Sequence, residues 1–355
     1  MFDQSVHDDI KRKYKTLAIY VSVLVLVFTA LRLILTRFFV DPDIHFYIDT
    51  SNIFVASYDY VLTACILIIY IASLFMYKYK KDSRKYIEIS DCFVQGTQAQ
   101  VFSASLTGFL FIAASIFQVY SFLYPGNSYS ALKGVPLADR FTVYIHHYTF
   151  DFIIFFVALL SSVYFFKTAA LNFDIGDDIR YLPADETESE INGDENYENI
   201  EIEYEEKTDA ANENKSGDNN GKSKYKYTSA HIIFSFMPIL WSFVNIFKCF
   251  FDMSKAVNSP IRIYELISFL VLSAYFVSES RMLVERRESS RFFTFAYISA
   301  IIVSVSSLPN LIWSSFWILQ PNSDQIVYAL ELSFVIYILS RVYSQIRYGR
   351  FLLQR

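Results

Sequence analysis

The feature that most limits this chain is a succession of eight mostly apolar stretches, each near the ~20 residues a helix needs to cross hydrocarbon. They fall at 17–39, 55–77, 98–123, 149–171, 230–251, 262–279, 292–318 and 325–345. In a bilayer every backbone N–H and C=O must be bonded within the protein, so such stretches form helices. A single soluble domain is excluded, because 54% of the 355 residues are hydrophobic and only 19% are charged. Three scattered cysteines build neither a disulfide framework nor a four-ligand zinc site. The first stretch is too long for a cleavable signal peptide and runs into Thr-Arg-Phe-Phe-Val-Asp, so it reads as a retained anchor. Tyr77, Tyr79, Tyr120, Tyr124, Tyr144 and Tyr148 stand where an interfacial aromatic belt belongs.

Charge divides the loops into two classes. With the adjoining span ends included, the segments before the first span, between the second and third, between the sixth and seventh, and after the eighth hold 17 Lys and Arg, Arg341 among them. The alternate loops, counted the same way, hold Arg37, Lys133, Arg140, Lys255 and Arg262. The positive-inside rule then places both termini in the cytoplasm. Residues 172–228 carry 17 acids against 6 basic residues, and the stretch Asp185 to Glu206 has few bulky apolar groups. Such a segment cannot offset the entropy of ordering it, so it reads as a disordered cytoplasmic loop. It is either a linker or a docking site for a basic cytoplasmic protein. No basic face large enough for a nucleic acid exists.

The loop separates two sets of four spans with landmarks in the same order. Arg37-Phe38-Phe39 corresponds to Lys248-Cys249-Phe250-Phe251, Tyr58-Asp59 to Tyr264-Glu265, and Pro125-Gly126-Asn127-Ser128 to Pro321-Asn322-Ser323. Asp151 and Glu331 then occupy like places in the fourth and eighth spans. Four being even, the halves would be parallel repeats. The stretch from Met237 to Met282, with Phe250-Phe251-Asp252, Asn258-Ser259-Pro260 and Ser278-Glu279-Ser280-Arg281, resembles uncharacterised multi-spanning membrane proteins of clostridia-type bacteria. That resemblance implies a bacterial plasma-membrane protein and carries no activity.

Chemistry is sought among ionisable residues near the outer ends of the spans. Asp59, Asp151, Glu265 and Glu331 lie on even-numbered spans, and Arg32 and Arg37 on the first. A charge in hydrocarbon costs about 3 kcal/mol even on lenient scales, so these groups should face the bundle. They are the expected ligand-binding set, converging on one outer polar cavity for a small charged or zwitterionic molecule. Structural ion pairs are the competing reading. Pro238 and Pro309 break the helical bonding of their spans and could frame such a site.

Other motifs are weak. His147 and Asp151 share a helical face near His146, with Asp41, Asp43, His45 and Asp49 on the same side, yet no metal motif is present. Ser130-Ala131-Leu132-Lys133 matches S-x-x-K without its companion motifs. No catalytic residue, metal or cofactor is therefore assigned, and the chain is not read as an enzyme.

The sequence thus predicts an all-α bundle with a basic tail (1–16), a first half (17–171), the acidic loop (172–228), a second half (229–346) and a short tail (347–355). Its expected partners are the lipid bilayer, a small charged ligand and a cytoplasmic protein at the loop.

Overall fold

The structure, a computed structural model, describes residues 4–41, 46–48, 52–81, 87–89, 97–125, 127–180, 229–251, 259–285, 289–317, 323–348 and 351–353. Asp43, His45 and Asp49, residues 181–228 of the acidic loop, and the loop motifs at 252–258 and 321–322 lie outside them. The described residues are helical almost throughout: α1 (Gln4–Phe39), α2 (Ile53–Lys81), α3 (Gln98–Leu123), α4 (Leu137–His147), α5 (Thr149–Arg180), α6 (Ser229–Ser235), α7 (Met237–Phe251), α8 (Pro260–Glu285), α9 (Ser289–Trp317) and α10 (Ser323–Tyr348). Two short strands, β1 (Ile87–Ile89) and β2 (Phe351–Leu353), pair antiparallel where the chain leaves α2 and α10.

Eight helical stretches are long and apolar enough to cross a membrane. They match the expected spans within a few residues, α6 and α7 together forming the fifth. Several helices outlast their apolar segments. α1 begins inside the expected basic tail, and α5 continues to Arg180, past the expected start of the acidic loop. Polar residues in water continue a helix readily once its apolar part is in place, because each added residue gains a backbone bond.

Six of the spanning segments close into a ring. α3 packs on α5, α5 on α7, α7 on α8, α8 on α9, α9 on α10, and α10 on α3. α1 and α2 lie outside this ring against α9. Hence 89% of the apolar window of α9 is buried, against 22% for α1 and for α2. α9 bears Ala296, Ser299, Ala300, Ser304 and Ser307, small side chains that let neighbouring backbones approach. Gly108 does the same between α3 and α5: a Cβ there would lie 3.1 Å from the Phe166 ring. The outward faces carry exposed Ile19, Leu26, Leu67, Phe102, Phe109 and Phe247, as a lipid-facing surface requires.

The two four-span halves do not repeat this packing. α8 lies against α9, whereas among the described residues the corresponding pair, α2 and α3, makes no comparable contact. α4 is a further departure from expectation, because the sequence between the third and fourth spans predicts a loop and folds instead into a helix. It is an eleven-residue helix at the end of the bundle opposite β1 and β2, hereafter the far end. Tyr144, Tyr129 and Leu132 form a small separate core there, with Phe122 and Phe152. Tyr144 is thus packed inside rather than spread in an interfacial belt. Burial, more than its neighbour Tyr129, pushes its phenol well above the usual range. Arg140 ties α4 to the end of α3 by donating 2.6 Å to the Leu123 carbonyl.

Candidate functional site

The ring's interior is built by a shared face of α8 and α10. Glu265, Phe269, Leu272 and Phe276 recur at helical spacing on α8, and Tyr328, Glu331, Phe334 and Tyr337 on α10. Tyr328 donates to Glu265, and one turn further in Ser268 donates to Glu331. Both pairs differ by 63 in number, so the two helices run parallel in register and their side chains meet inside the ring. The Cys249 thiol of α7 also reaches Glu265, at 3.8 Å. In the wall between α5 and α7, Lys248 pairs with Asp151 at 2.7 Å.

Beside Lys248, a cavity of about 20 Å³ is lined by Gln118, Asn245, Trp241 and Val327. It has room for about one water. The Gln118 side-chain oxygen is buried without a hydrogen-bond partner, and Asn245 donates to the Trp241 carbonyl at 2.8 Å. Three of the six expected ligand-binding residues, Asp151, Glu265 and Glu331, therefore occupy the far half of the ring.

The other three stand elsewhere, so the expected single cavity divides. Arg32 lies outside the ring, enclosed by aromatic rings between α1, α2 and α8. Its guanidinium is 4.2 Å from the centre of the Tyr264 ring and donates 2.6 Å to the Tyr47 hydroxyl. Tyr264 in turn donates to Asp59 at 2.6 Å, and Tyr58 to the Phe28 carbonyl at 2.9 Å. Tyr47, in the loop after α1, has its phenol pushed up by burial and by Asp59, with Arg32 opposing. Arg37 is five residues beyond Arg32, a rotation of about 140° on a helix of 3.6 residues per turn. It is exposed and lies 5.4 Å from the Trp313 ring centre. Cations on rings in this way gain about 0.5–2 kcal/mol, which suits an anchoring role for both arginines.

The sequence reading missed the most deeply buried ion pair. Glu279 and Arg341 are each 1% exposed and 3.3 Å apart, in the half of the ring nearer the termini. Tyr337 donates 2.7 Å to Glu279 and accepts from Arg341 at 3.1 Å. Arg341 had been counted as a loop residue, and so had Arg262, which is 2% exposed and donates 2.5 Å to the Phe250 carbonyl at the end of α7. Removing one from each side leaves the loop charge bias intact. The signal available was spacing: Glu279 follows Glu265 by almost four whole turns and shares its face.

Aromatic side chains separate the two polar levels. Phe111, Phe165, Trp241, Phe276 and Phe334 touch one another across the ring, with Phe269 on Trp241. Of the two expected helix breakers, Pro309 sits inside a continuous α9. Pro238 follows a true interruption at Phe236, where the Ser235 carbonyl takes a hydrogen bond from Ser280, next to Glu279.

The weaker motifs gather no chemistry. His146 and His147 are exposed and meet edge to face, while Asp151 is engaged by Lys248. Among the described residues no group of three or more His, Cys, Asp or Glu is placed to hold a metal ion. The chain as a whole matches no family model, no curated protein and no solved structure.

Proposed function

We propose that this chain binds or transports a small cationic or zwitterionic solute, or protons, through the far half of the six-helix ring. One observation carries the reading: three carboxylates, Asp151, Glu265 and Glu331, are all buried in that half of the ring. Buried carboxylates are expensive in hydrocarbon, and such residues mark ion and proton paths. Glu265 and Glu331 stand on successive rungs, each on a hydroxyl, an arrangement suited to passing a proton or one charged group at a time. Arg32 and Asp59 brace α1 and α2 beside the ring.

The far end faces outward in this account, and both termini are cytoplasmic. The excess of Lys and Arg in the loops at the termini end, which persists without Arg341 and Arg262, supports that orientation. A bacterial plasma membrane is the proposed location. The halves are proposed to descend from a parallel four-helix repeat on the strength of their ordered landmarks, the unequal packing marking divergence since. No observation among the described residues favours a scaffold role for the acidic loop.

The test is proton uptake into vesicles containing the full chain and a pH dye, driven by an imposed potassium potential. Glu265→Gln and Glu331→Gln are each expected to lower the rate about ten-fold or more. Asp59→Asn and Arg37→Gln, outside the ring, should stay within about two-fold of the parent. Equal rates in the parent, both Gln variants and protein-free vesicles would remove the proton-path reading.

A further inference from the structure

On the opposite, lipid-facing side of α8 the structure contains a second concavity, unrelated to the ring interior. It measures about 410 Å³ and runs between α7, α8 and α9. Its floor is made of small side chains, Ser273, Ala274 and Ser278, and its rims are Phe243 and Phe295. At the end nearer the termini two guanidiniums from different helices, Arg281 of α8 and Arg291 of α9, line the same groove, and both are exposed. We propose that this groove is a binding site for an anionic phospholipid, with one acyl chain along the floor and its phosphate on Arg281 and Arg291.

Two observations favour that occupant over ordinary lipid contact. Bulk lipid meets convex helix surfaces, whereas this surface is concave and in the size range of built ligand sites. Basic pockets between spanning helices on the positive face select anionic headgroups, and this end carries the excess of Lys and Arg.

The full chain in neutral detergent is titrated separately with phosphatidylglycerol, phosphatidylcholine and inorganic phosphate, and bound lipid is counted by native mass spectrometry. Phosphatidylglycerol is expected to bind roughly thirty-fold more tightly than phosphatidylcholine, as two surface charges allow. Arg281→Gln with Arg291→Gln should erase that preference. Ala274→Trp, which fills the floor without changing charge, should lower binding of both lipids. Equal affinity for the two lipids in the parent would overturn the proposal. So would phosphatidylglycerol binding that survives both variants, or competition by inorganic phosphate alone at the concentrations where the lipid binds. The parent's comparison of the two lipids decides the matter even if a variant does not fold.

Discussion

Glu279→Ala is expected to destabilise the protein by about 3–5 kcal/mol, the cost of leaving a buried charge without its partner. Arg341 is 1% exposed and pairs with Glu279 at 3.3 Å. Tyr337 remains beside it after the substitution, but a neutral hydroxyl does not balance a guanidinium. Replacing both members, Glu279→Leu with Arg341→Met, removes the stranded charge and should recover most of the loss, since apolar replacements of buried pairs are often near neutral. Reversible unfolding in mixed micelles measures both. A loss below about 1 kcal/mol for Glu279→Ala would mean that water reaches the pair and that the ring is not closed at this level.

The second large effect is expected at Trp241. Its indole is 1% exposed, touches Phe111, Phe269 and Phe334, and forms one wall of the small cavity beside Lys248. Trp241→Ala deletes the largest member of the aromatic layer, at a cost of about 3–5 kcal/mol of stability. It also joins that cavity to the space left behind. Water should then enter from the far end, and passive ion leak through vesicles should rise by about ten-fold or more as a hydrophobic constriction is lost. Phe109→Ala is the control, because Phe109 is 63% exposed on the lipid side and should change neither leak nor proton uptake. An unchanged leak in Trp241→Ala would show that the aromatic layer is not what separates the two polar levels.

How much of this was legible in the sequence depends on whether a property is local. Hydropathy summed over a helix length located all eight spans, because crossing hydrocarbon depends on composition and length alone. The rule that charged groups within spans face protein correctly placed Arg32, Asp151, Glu265 and Glu331 inside the bundle. It did not say which would meet, since that depends on helix rotation and neighbour order. Arg32 and Arg37 were grouped by depth although five residues turn them apart. Glu265 and Glu331 were grouped for the same reason, and they do lie together because α8 and α10 run parallel in register. Glu279 and Arg341 were overlooked because each sits near a span end, where a charge is ordinarily assigned to the loop. α4 escaped for a different reason: eleven residues are too few for a spanning helix, and its apolar side is read only once Tyr129 and Phe152 are seen packed against it.

The most direct test of the central claim is whether the far half of the ring admits water-borne solutes. In a chain with Cys65, Cys92 and Cys249 replaced, single cysteines at Gln118 and Asn245 are treated with a small charged, membrane-impermeant thiol reagent from the far side. The account predicts that both label, that Glu331→Gln alters their rates, and that a lipid-facing cysteine at Phe109 stays unmodified. Protection of Gln118→Cys and Asn245→Cys from either side of the membrane would contradict it, leaving Asp151, Glu265 and Glu331 as internal braces of a dry bundle.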